Sequence, residues 1–138
     1  MKILSYSFYY PYVVLLLFAG FWGAFINPYF DFNLLFDLDP QTLADYGYIN
    51  LFSQYRFLRA LEFGFGLFSI LYTRMIFTKK SFNILFLVIM GSGILARVMS
   101  WIVEGTPNGL MQFFMFHELT GWILIFIYTF KIRYKNAD

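Results

Sequence analysis

Four long apolar runs, separated by short polar breaks, organise the chain, and their lengths predict helices that cross a bilayer. The predicted spans cover about 7–27, 52–77, 82–104 and 110–132. Each reaches the roughly 20 residues that a hydrocarbon core requires. The second is unlike the others. Its uncharged stretch, Phe63 to Thr73, is too short to span alone, and Arg56, Arg59 and Glu62 stand in its first half. Lipid tolerates such a helix only when its charged face turns into a protein interior. Arg59, Glu62, Gly66, Ser69 and Thr73 recur at steps of three and four, which predicts one polar, small-residue stripe. Phe57, Leu61, Phe65, Phe68 and Tyr72 fall largely elsewhere and can meet lipid. In the first span, Gly20, Gly23 and Asn27 form a small-residue stripe suited to close helix packing.

Residues 28–51 make the one long connection, holding Asp31, Asp37, Asp39 and Asp45 with no basic residue. Asp39–Pro40 resembles a helix start, predicting a short helix to about Tyr46 that Gly47 ends. Phe30, Phe32, Leu34, Leu35 and Phe36 make this loop too apolar for free solution, so it is expected at the membrane interface or capping the bundle. The four Asp lack the spacing of a calcium loop and read as a solvated acidic loop. Arg74, Lys79 and Lys80 mark a short basic turn, and residues 105–109 (GTPNG) mark a tight turn of helix breakers.

Composition sharpens the class. With 60% hydrophobic, 25% aromatic and only 13% charged residues, a soluble domain of 138 residues could not hide its apolar surface. One integral membrane domain over 1–138 is expected. The run 11–27 exceeds a typical signal-peptide core, and no small-x-small site follows it, so it reads as a retained span. The absence of cysteine excludes disulfides, thiolate nucleophiles and iron–sulfur clusters. A net charge of +2 gives no nucleic-acid partner. Lys2, Arg74, Lys79, Lys80, Lys131, Arg133 and Lys135 cluster at the N-terminus, the second turn and the C-terminus. The positive-inside rule then sets both termini in the cytoplasm and the acidic loop outside. Tyr6, Tyr9, Tyr10, Tyr12, Tyr128 and Tyr134 sit where an inner aromatic belt belongs.

Depth gives the candidate chemistry. Arg59 and Glu62 lie one to three turns below the outer surface. Arg97 precedes Glu104 by seven residues, roughly 10 Å in depth, and His117 and Glu118 lie about as deep from Leu110. Arg59 and Arg97 balance Glu62 and Glu118, and an isolated charge at this level costs several kcal/mol, so pairing is expected. Glu62 can pair with Arg59 along its helix. Arg97 is expected to pair across helices with Glu118 or Glu62. The bland alternative is that these are buried salt bridges fixing helix register. His117 is the single histidine, which excludes bis-His haem ligation, and no metal or cofactor motif accompanies it. It reads best as a satisfied interfacial or interhelical histidine.

Residues 46–68 (YGYINLFSQYRFLRALEFGFGLF), with ARVMSWIVEGTPNGL at 96–110 and HEL at 117–119, resemble a family of small bacterial four-span proteins. It is the domain-of-unknown-function 4345 type, loosely akin to DoxX-like membrane proteins. The specific features are the arginine-then-glycine helix, Arg97 with Ser100, Gly105 with Pro107, and Glu118. The resemblance implies a four-helix bundle in the bacterial inner membrane. Some DoxX relatives accompany quinone-linked redox complexes, but no redox motif here carries that over.

The reading is an all-α, four-helix transmembrane bundle with an acidic, aromatic outer loop containing a short interfacial helix. Its leading function is to bind a lipid, a quinone-like or other amphipathic ligand, or a partner subunit. The pocket would lie in the outer half of the bilayer and use Arg59, Glu62, Arg97, Ser100, His117 and Glu118. Partners are membrane lipids, an amphipathic small molecule, a homo-oligomer or a larger complex. One alternative is an isomerase-like acid–base enzyme using Glu62, Glu118 and His117. Another is a structural subunit whose salt bridges only fix packing. A transporter is disfavoured, because four unbroken spans leave little room for alternating access.

Overall fold

A computed structural model describes residues 1–135; of residues 45 and 132–135 it describes the backbone alone. The basic anchor expected at Arg133 and Lys135, the belt residue Tyr134 and the loop residue Asp45 therefore lie outside the described side chains. The fold is all-α, with no strand among the described residues. Six α-helices follow in order: α1 (Lys2–Phe21), α2 (Pro28–Phe36), α3 (Asp45–Leu71), α4 (Thr73–Thr78), α5 (Lys80–Glu104) and α6 (Gly109–Lys135). A π-turn, Trp22–Ile26, extends α1, and one 3-10 turn, Pro40–Thr42, lies between α2 and α3. Three helical stretches are long and apolar enough to cross a membrane: Lys2–Ile26, Lys80–Glu104 and Gly109–Lys131. The 27-residue α3 matches them in length but carries the charges noted above. The chain divides into two compact units, residues 13–70 and residues 1–12 with 71–138.

In the unit of residues 13–70, proline sets the path. Pro28 has no N–H and its ring forces the preceding residue away from helical geometry. Asn27 duly sits at φ −143°, ψ 89°, ending the π-turn, and Pro28 opens α2 at its first position. The sequence reading placed a helix after Pro40 instead. Asp39 does cap there, its carboxylate accepting from the Gln41 N–H at 3.0 Å, but only one 3-10 turn follows. The aromatic residues before it explain the difference. Phe32 stacks on Phe52 at 4.9 Å and meets the tilted Tyr55 ring at 4.7 Å, so residues 28–36 gain by helical packing on α3. Gly47, expected as a helix stop, lies in the first turn of α3.

Small residues bring α1 and α3 together. A Cβ on Gly20 would come within 2.6 Å of the Phe63 backbone nitrogen, and one on Gly66 within 3.0 Å of Leu17. Backbones approach this closely only where side chains are absent. Gly64, on the same helix, meets nothing within 4 Å and has no such role.

In the other unit, α3 ends at Tyr72, whose φ −106°, ψ 19° breaks the helix before α4. Lys79 is extended and starts α5, which packs on α4 and α6. Tyr9, Ile76, Phe86 and Ile125 are fully buried in its core. Trp122 donates to the Leu87 carbonyl at 2.8 Å, and Gly91 supplies the notch beside the indole. The α5–α6 turn needs Gly105, whose φ of +110° is unfavourable for any residue with a Cβ. Asn108 Oδ1 then caps the Met111 N–H at 3.0 Å.

Two arginine sites of different character

Arg59 stands at the centre of a closed network in the unit of residues 13–70. Its Nη1 reaches Glu62 Oε2 at 2.6 Å, its Nη2 reaches Asp31 Oδ2 at 3.1 Å, and its Nε donates to the Tyr55 hydroxyl at 2.7 Å. That hydroxyl in turn donates a hydrogen bond to Asp31 Oδ2 at 2.8 Å. The Arg59 and Asp31 side chains are 12% and 9% exposed, while Glu62 remains 39% exposed. All three guanidinium nitrogens are engaged, as burial of an arginine demands. Gly23 makes the space, since a Cβ there would lie 2.6 Å from Asp31 Oδ2 and 2.8 Å from Arg59 Cγ.

Arg56 completes this corner by a different route. The Ala24 carbonyl faces position 28 along the helix, where Pro28 offers no N–H. Arg56 Nη1 donates to that oxygen instead. A buried carbonyl left orphaned by proline thus explains a second arginine in an apolar helix.

Asp31 departs from the solvated acidic loop that its neighbours predict: it is buried and ion-paired, whereas Asp37 and Asp39 are exposed. The signal in the sequence is the position of Asp31 in the first helical turn after Pro28, with two arginines in the first half of the next long helix and only Glu62 there to balance them.

Arg97 is held differently. Its Nε contacts Glu118 Oε2 at 3.2 Å, across from α5 to α6, and its Nη1 lies 3.7 Å from the Met111 sulfur. The Arg97 side chain is 37% exposed and Glu118 14%. A thioether is a weak acceptor, so the guanidinium keeps donor capacity with no strong partner among the described residues. Of the residues grouped with it by sequence, His117 stacks on Phe8 at 5.1 Å and on Phe113 at 6.2 Å. Ser100 is exposed, one turn beyond Arg97. Arg59 with Glu62 belongs to one unit, and Arg97 with Glu118 and His117 to the other.

Uncharged polar residues in the same unit as Arg97 make cross-helix hydrogen bonds whose pairings the sequence does not indicate. Ser5 donates to the Leu124 carbonyl at 2.9 Å, Tyr9 and Thr73 share a hydrogen bond at 3.3 Å, and Thr129 donates to Asn83 Oδ1 at 3.2 Å. Single hydroxyls and amides inside apolar runs give no periodic signal, because each is satisfied by a neighbour that tertiary packing supplies.

Among the described residues, no three His, Cys, Asp or Glu side chains converge as metal ligands would. No curated protein and no solved structure matches this chain. One family does match, over residues 12–129, a region holding both arginine sites, and its description is a domain of unknown function. The chain belongs to that family, DUF4345.

Proposed function

We propose that this is a four-span protein of the bacterial inner membrane that binds the anionic or carbonyl head of an amphipathic ligand at Arg97. The carrying observation is the contrast between its two arginines. Arg59 has every nitrogen occupied and is buried, which suits a structural role. Arg97 has one carboxylate contact, a weak sulfur neighbour and more than a third of its side chain open. A planar fork with free donors is well matched to a carboxylate, phosphate or carbonyl oxygen. Glu118 then orients the guanidinium rather than consuming it.

The fourth span in this reading is α3. Its 27 residues extend about 40 Å at 1.5 Å per residue, enough for a hydrocarbon core. Arg59 is ion-paired with Asp31 and Glu62, and Arg56 donates to the Ala24 carbonyl, so each intramembrane arginine has a local partner. Binding is favoured over acid–base catalysis because Glu62 and Glu118 are both held by arginine. A general acid or base must be free to exchange a proton with its substrate, and each of these carboxylates already accepts from a guanidinium.

Native mass spectrometry of the purified protein, with lipid extraction, tests the proposal. A stoichiometric ligand is expected in the parent protein and is lost in Arg97→Gln with helicity unchanged. A parent protein that carries no ligand, or an Arg97→Gln variant that keeps it, defeats the proposal.

A further inference from the structure

One lateral face of α1 carries a second set of features unrelated to Arg97. Lys2, Tyr6 and Tyr10 form one ridge at steps of four, and Ile3, Ser7 and Pro11 form the adjacent ridge. Together they line a shallow groove that is largely open to the surroundings. We infer that this groove binds an anionic phospholipid of the surrounding bilayer, with the phosphate at Lys2.

The wall of the groove is fixed in advance. Tyr6 stacks on Phe77 with ring centroids 4.1 Å apart and lies 5.8 Å from Tyr10. Lys2, Ile3, Ser7, Tyr10 and Pro11 are exposed, so the face is open to whatever surrounds the helix. Pro11 adds polarity where an ordinary helix has none, because it withholds the N–H that the Ser7 carbonyl would otherwise receive. Lys2 is the single charged residue of the lining. It stands at the end of an apolar stretch, Lys2–Ile26, that is long enough to cross a membrane. Its ammonium therefore lies at the boundary between water and hydrocarbon, where lipid phosphates are.

The groove then runs inward from that charge. Head-group oxygens would meet the ammonium and the hydroxyls of Tyr6, Ser7 and Tyr10, while an acyl chain lies along Ile3 and Pro11. Charge complementarity selects the occupant. An anionic lipid neutralises Lys2, a choline head brings a second cation to it, and a parallel copy of this chain would set one Lys2 against another.

The test uses the full chain in nanodiscs of equal phosphatidylglycerol and phosphatidylcholine, released intact into a mass spectrometer. Retained phosphatidylglycerol should exceed phosphatidylcholine about fivefold or more. Lys2→Gln should lower the ratio about fivefold, as one lysine near an anionic surface contributes. Ser7→Trp should fill the groove and remove the retained lipid with Lys2 still present. Lys79→Gln, which removes an exposed cation outside the groove, should leave most of this preference in place. Circular dichroism of each variant confirms that its helices are intact. Equal retention of the two lipids by the parent protein overturns the inference, as does a Ser7→Trp variant that keeps the preference. A lipid-free dimer disrupted by Ser7→Trp would give the face to a second copy and overturn it as well.

Discussion

Asp31 Oδ2 lies 3.1 Å from Arg59 Nη2, with both side chains nearly buried at 9% and 12% exposure. The contact joins α2 to α3 through charge, and Tyr55 closes it by bonding to both partners. A loop of aromatic and acidic residues is thereby fixed as a packed helix. The ion pair also gives α3 a neutralised arginine inside an otherwise apolar segment.

Removing one partner of this pair should be costly, because the other is left buried without compensation. Asp31→Asn is expected to destabilise the fold by about 3–5 kcal/mol. Asp37→Asn, at an exposed carboxylate, should stay within about 0.5 kcal/mol. Chemical or thermal unfolding in detergent measures both. A double-mutant cycle of Asp31→Asn with Arg59→Gln should return substantial coupling, and additive effects would show the pair to be energetically idle.

The glycines separate into two groups by what surrounds them. Gly20→Ala would drive a methyl into the Phe63 backbone, which cannot move aside, and Gly23→Ala would press on the Asp31–Arg59 pair. Both should lose about 1–3 kcal/mol, with Gly20→Ala the worse. Gly64→Ala and Gly93→Ala meet open space and should gain stability through helix propensity, by up to about 1 kcal/mol. Midpoints of unfolding for the four variants decide this ordering.

The two arginines should respond unequally to the same substitution. Arg59→Gln is expected to lower the unfolding midpoint sharply. Arg97→Gln removes one carboxylate contact and should lower the midpoint less, while weakening ligand retention about tenfold or more, the worth of a charge-assisted hydrogen bond. Equal loss of stability in both would assign Arg97 to packing.

Because the chain has no cysteine, single-cysteine variants report topology without a background. With four spans, Asp37→Cys and Asn108→Cys should react with an impermeant maleimide on intact cells. Ser81→Cys should react only after permeabilisation. Labelling of positions 37 and 81 from one side would mean that α3 does not cross.

The helical class, and the three stretches apolar enough to span, were legible from composition and run length, because a bilayer accepts only long apolar segments whose backbone bonds to itself. The turns were legible for a similar local reason: Gly105 through Gly109 and Lys79–Lys80 break helices by their own chemistry. The intrahelical pair Arg59–Glu62 followed from spacing alone, at three residues. Spacing also left Arg97 a choice of carboxylates, and the packing of α5 on α6 delivers Glu118. Asp31 differs locally from Asp37 and Asp39 only in following Pro28 within one helical turn, which does not by itself predict its burial. That burial arises because Pro28 turns the chain back and lays α2 against α3, and a carboxylate's partner depends on which helix it is packed against. Run length and helix period are properties of a segment and can be read along the chain. Burial, pairing and the free donors of Arg97 belong to contacts between segments, so only the tertiary structure decides them.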